Sequence, residues 1–108
     1  MEEHNGKHKL FAEGYRYNGQ PVIMSEYGGI ALDSEKGWGY GKQVANEDEF
    51  IQRFELLTKN IKEIPYISGY CYTQLTDVQQ EINGIVDENR NSKFSKKVED
   101  KIKKTNEC

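Results

Sequence analysis

Four largely apolar residues, Pro21-Val22-Ile23-Met24, run without a break into Ser25-Glu26, and Tyr27-Gly28-Gly29 follows. A short apolar run bounded by turn residues suits a strand buried on both faces, as in a parallel sheet. Pro21 can open such a strand but, lacking an amide hydrogen, could not sit in its middle. Glu26 is then expected at the strand's carboxyl end, where α/β sheets carry their reacting groups. Gly28-Gly29 permits a sharp turn and the close approach of a ligand. A solvated surface glutamate is the competing reading of the same position.

The pattern downstream supports the parallel sheet. Asn46-Glu47-Asp48-Glu49 reads as a helix start, with Asn46 as cap, Glu49 reaching back in a capping box, and acids suited to the helix dipole. Phe50, Phe54, Leu57, Ile61 and Ile64 then recur at offsets of four and three, one continuous apolar face. Pro65 stops the helix. Tyr66 to Thr73, rich in aromatic residues, reads as the next strand. Strand, helix and strand at this spacing form a βαβ unit with parallel strands. Ser95 caps a final short helix with Phe94, Val98 and Ile102 on one side.

Two regions around this unit invite a ligand. The connection from Tyr27 to Ala45 is long and glycine-rich, and its centre reads Lys36-Gly37-Trp38-Gly39-Tyr40-Gly41. Loops of that length in compact domains are usually functional or irregular. Trp38 and Tyr40 on such a loop offer flat platforms for a pyranose ring, although Trp38 could equally cover the core. Gln74, Thr76 and Asp77, with Gln79, Gln80 and Glu81, are expected at the same rim as Glu26, a run of hydrogen-bonding groups suited to a polar ligand.

Composition removes other classes. The chain has 108 residues, with 15 basic and 18 acidic side chains and a formal charge of −3, which disfavours nucleic acid as a partner. No apolar run is long enough to span a bilayer and the start lacks a signal peptide's regions, so no membrane partner and a cytoplasmic location are expected. A longer parent could carry a signal elsewhere. Two cysteines make no disulfide framework; Cys71 reads as a small buried hydrophobe and Cys108 as a loose terminal thiol. His4 and His8 could share a helix face, but Asn5-Gly6 between them disfavours helix, so residues 1–9 read as a disordered tail. No cofactor and no metal are expected. The domain is expected over residues 10–104, with a second tail at 105–108.

Three stretches carry a specific resemblance: Pro21-Val22-Ile23-Met24-Ser25-Glu26-Tyr27-Gly28-Gly29, Gly37-Trp38-Gly39-Tyr40, and Gly69-Tyr70-Cys71-Tyr72-Thr73-Gln74-Leu75-Thr76-Asp77-Val78. In this order they resemble the end of the catalytic barrel of family 2 glycoside hydrolases, the β-galactosidase and β-glucuronidase relatives. The resemblance implies an α/β fold class: a fragment of a TIM (β/α)₈ barrel comprising its last two βα units. It implies that Glu26 is the nucleophile of a retaining mechanism, that Trp38, Tyr40, Tyr72, Gln74 and Asp77 contact substrate, and that the partner is a β-glycoside.

The family's acid/base is an Asn-Glu pair at the end of the fourth strand. Neither Asn46-Glu47, which opens a helix, nor Asn106-Glu107, near the end of the sequence, fits it. A full barrel takes about 250 residues. The chain is therefore expected to be a nucleophile-bearing piece of a retaining glycosidase, inactive alone. Two other readings stay open from the residues: a carbohydrate-binding module gripping sugar through Trp38, Tyr40 and Tyr72, and a piece that completes a barrel supplied by another chain. Two strands leave open edges. Hence the chain rearranges its edges, recruits the Leu10 to Tyr17 segment as a further strand or cover, or associates; a homo-oligomer with strand edges or apolar helix faces at the contact is expected.

Overall fold

The computed structural model describes residues 4–5, 8–9, 11–32 and 43–107. The elements run β1 (His4–Asn5), β2 (His8–Lys9), β3 (Val22–Gly28), α1 (Glu47–Lys62), β4 (Ile67–Thr73) and α2 (Lys96–Asn106). β1 and β2 pair antiparallel within the stretch read as a tail. Among the described residues the main sheet has two strands, β3 and β4, which pair in parallel as the βαβ pattern requires. Besides the β1–β2 pair, the described residues thus form a small α/β domain of two parallel strands and two helices.

The helix termini explain how the helices sit. Asn46 Oδ1 accepts from the Glu49 amide at 3.0 Å, while Glu49 Oε2 accepts from the Ala45 amide at 2.9 Å. The capping box therefore closes one residue before the cap itself. Ser95 Oγ accepts from the Val98 amide at the start of α2. The two starts are tied together, because Glu47 accepts from both the Ser95 hydroxyl at 2.9 Å and its amide at 3.2 Å. At the opposite ends, Lys62 Nζ of α1 donates to the carbonyls of Thr105 at 3.0 Å and Glu107 at 2.6 Å. Start against start and end against end, α1 and α2 run parallel. Each joined pair also sets a charge where the helix dipole favours it. α2 runs to Asn106, past the expected boundary at residue 104.

The core lies on the helix side of the sheet. Phe50, Ile51 and Phe54 of α1 meet Val98 of α2, Phe94 before it, and Ile30 and Val44 from the connection after β3. Phe50 stacks on Phe94 with ring centroids 4.3 Å apart. Leu57, on the expected stripe, is half-buried at the margin of this cluster. Before β3, Tyr17 rests on Tyr66 at 5.6 Å and Phe11 on Tyr17 at 6.5 Å. Of the expected Leu10 to Tyr17 segment, the described residues 11–17 pack against Tyr66 just before β4 and add no strand to the main sheet.

Two expectations are corrected here. The strands are not buried on both faces: Ile23 is 64% exposed, and a side chain added at Gly69 would meet nothing within 4 Å. Helices cover one face only, and among the described residues no second layer covers the other. For the same reason Cys71, expected to be buried, is exposed. No helix among the described residues is long and apolar enough to cross a membrane.

Candidate functional site

β3 is irregular at Ser25 and Glu26. Met24 pairs with Tyr70 and Tyr27 with Tyr72, so Ser25 and Glu26 together face the single residue Cys71. This is a β-bulge, a device that re-aims side chains at sheet edges and beside active sites. Ser25 and Glu26 are both exposed, although neighbours on a regular strand face opposite sides. Glu26 makes no hydrogen bond or ion pair among the described residues. It borders a depression of about 320 Å³ whose described lining is Glu26, Tyr27, Gly28 and Thr73.

The glycines beyond it serve packing. Gly28 and Gly29 have φ of +102° and +65°, conformations costly for other residues. A Cβ at Gly28 would overlap the Tyr72 ring. The close approach expected for a ligand is therefore taken by a side chain of the protein itself. The Gly29 amide then donates to the Thr73 carbonyl at 2.8 Å, extending the pairing of the strands by one bond.

The other expected contact residues are placed as follows. Tyr72 packs toward the helix layer, edge-on to Phe54 at 5.1 Å and to Tyr27 at 5.4 Å. Its hydroxyl is buried without a hydrogen-bond partner among the described residues. Burial pushes its pKa well above the usual tyrosine range. Gln74 is half-buried and donates from Nε2 to the Glu81 carbonyl at 3.4 Å. The Thr73–Gln74 peptide is cis.

Asp77 is a structural clamp. Its Oδ1 accepts from the Gly84 amide at 2.8 Å and from Lys93 Nζ at 2.9 Å, and Lys93 also donates to the Ile82 carbonyl at 2.9 Å. Both side chains are largely buried, 12% and 15% exposed. Gly84 has to be glycine, because a Cβ there would strike the backbone of Thr76 and Asp77. Of the expected contacts, Tyr72, Gln74 and Asp77 do not line the depression; Trp38 and Tyr40 fall outside the described residues.

Sequence reasoning missed Thr58, Lys93 and Asn83. Thr58 is fully buried on α1, and its Oγ1 lies 2.8 Å from the Tyr27 hydroxyl. A signal existed: Thr58 stands four residues after Phe54, a polar side chain on an apolar stripe. Lys93 offers no local signal, since it meets Asp77 only through the intervening loop. Asn83 is fully buried, and its carboxamide has no partner among the described residues.

A larger groove of about 520 Å³ lies between the ends of α1 and α2, lined by Glu55, Lys59, Lys62, Glu63, Lys101, Lys104 and Thr105. Its lysines and glutamates are ordinary solvated helix residues, and Lys62 is engaged in holding the end of α2. Compared with protein-family models and with curated proteins, the chain matches none.

Proposed function

We propose that residues 10–104 correspond to the last two βα units of a family 2 glycoside hydrolase barrel, and that Glu26 is the nucleophile of a retaining reaction on β-glycosides. The observation that carries this reading is a carboxylate without a partner among the described residues, at the carboxyl end of a parallel strand and on a bulge beside a depression. The resemblance of the Glu26, Trp38 and Tyr72 stretches supplies the chemistry. Parallel strands alternating with parallel helices agree with two consecutive barrel units. The bare face of the sheet agrees too. In a closed barrel the face opposite the helices fills the interior, so strands outside these residues would cover Ile23 and Cys71.

In this reading the Glu26 carboxylate attacks the anomeric carbon from the α face. The bond to the leaving oxygen breaks as a second carboxyl group, about 5–5.5 Å away, protonates that oxygen. Water, deprotonated by the second group, then releases the sugar from the glycosyl ester and regenerates Glu26. The second carboxyl has to come from outside these 108 residues, so the isolated chain is expected to be inert. Lost proton donation alone is worth roughly 10²–10⁴-fold.

Azide distinguishes the nucleophile from the acid. In the polypeptide that carries these residues within a complete barrel, Glu26→Ala should lower turnover of aryl β-glycosides by orders of magnitude. Added azide should restore turnover and give the α-glycosyl azide, because it enters from the face that Glu26 has vacated. Undiminished turnover in Glu26→Ala, or a β-glycosyl azide as product, would contradict the assignment.

A further inference from the structure

The bulge that carries Glu26 has a fixed support. A bulge that slips by one residue exchanges which side each neighbouring side chain faces. Tyr27 stands immediately after this one. Its ring lies edge-on to Tyr70 at 5.8 Å and to Tyr72 at 5.4 Å, and its hydroxyl meets Thr58 Oγ1 at 2.8 Å. Thr58 is wholly buried between the Phe54 and Ile61 turns of α1. The helix in turn is held by the Asn46 cap and by the stacking of Phe50 on Phe94. A valine would fill the Thr58 position equally well by volume, so what the threonine adds is its hydroxyl.

We propose that Thr58 is a positioning residue for Glu26. Its hydrogen bond to Tyr27 ties the end of β3 to α1 and locks the Ser25–Glu26 bulge in the register that turns Glu26 toward the depression. The functional consequence rests on reading Glu26 as the nucleophile; the latch itself is a matter of geometry. Slippage at Tyr27 would rotate the carboxylate away from the anomeric carbon, and misplacement by about 1 Å can cost on the order of 10²-fold in rate.

The test compares wild type with Thr58→Val, Thr58→Ser and Tyr27→Phe. Residual dipolar couplings of the amide and Cα–Hα bonds are measured across residues 24–28 in the full chain. Thr58→Val and Tyr27→Phe should shift the couplings of Ser25 and Glu26 and leave those of α1 unchanged, and Thr58→Ser should restore them. Where Thr58→Val fails to fold, Tyr27→Phe decides by the same criterion. Couplings at Ser25 and Glu26 that stay at wild-type values, with only the melting temperature lowered, would overturn the latch. In the polypeptide that turns over aryl β-glycosides, Thr58→Val should lower kcat by on the order of 10²-fold at unchanged KM, with recovery in Thr58→Ser. An unchanged kcat would also overturn it. Wild-type turnover in Glu26→Ala would instead remove the glycosidase reading, while the couplings still decide the latch.

Discussion

Tyr27 and Tyr72 carry phenols that burial keeps protonated. Burial raises the pKa of Tyr27, and its hydrogen bond with Thr58 opposes the rise. Burial raises Tyr72 further. An unfolded tyrosine titrates near 10, so both groups hold their protons more tightly in the folded chain. Their contribution to stability is complete below about pH 10 and is lost as pH rises through the folded values. Urea midpoints measured between pH 8 and 11.5 should fall above pH 10, by up to about 1.4 kcal/mol per pH unit from Tyr72, with a smaller share from the less buried Tyr27. Tyr72→Phe should flatten that fall; an unchanged alkaline slope would show that Tyr72 ionises as freely in the fold as out of it. The direction of Tyr72 was not legible in the sequence. Alternation along a strand says which residues share a face, but not which face the helix covers.

At the scale of elements, the parts with local signals were legible and the parts without them were not. Asn46, Glu49 and the Phe50-Phe54-Ile61 stripe mark α1 because caps and periodicity act within one or two turns. Ser95 marks α2 for the same reason. Parallel pairing of β3 and β4 followed from the helix between them. The bulge at Ser25–Glu26 left no trace, since it is fixed by Tyr27 against Thr58, residues far apart in the chain. Asp77, expected as a ligand contact, sits at the centre of a clamp whose cation lies 16 residues later and has no signal beside it in the sequence. That clamp can be tested. Lys93→Met should cost about 2–3 kcal/mol, somewhat below the range for a fully buried pair because both side chains keep some contact with water. Asp77→Asn should cost less, since it keeps an acceptor for the Gly84 amide. Urea denaturation showing Lys93→Met within ~0.5 kcal/mol of wild type, the range of ordinary surface changes, would contradict the clamp.

For the molecule as a whole, the decisive feature is a sheet covered on one side. The sequence suggested strands buried on both faces because Val22, Ile23 and Met24 are all apolar, and such a run anticipates a second layer. The structure shows helices on one face, and the described residues leave Ile23 bare on the other. A surface of this kind, beside strand edges with no further pairing among the described residues, favours association. Light scattering over a concentration series should therefore give a mass that rises above the monomer. A monomeric mass throughout, with a cooperative melt, would show that the chain satisfies its own edges. The same one-sidedness fits two units of a larger barrel, in which, on the proposed reading, Glu26 would meet a second carboxyl group. The most direct test of that account is covalent trapping. The polypeptide carrying these residues within a complete barrel is incubated with dinitrophenyl 2-deoxy-2-fluoro-β-glycosides of galactose, glucuronate and mannose, and its peptides are mapped by mass spectrometry. The account predicts one fluoroglycosyl ester, on the peptide containing Glu26 and absent from Glu26→Gln; an ester on another carboxylate, or none with any of the three sugars, would contradict it.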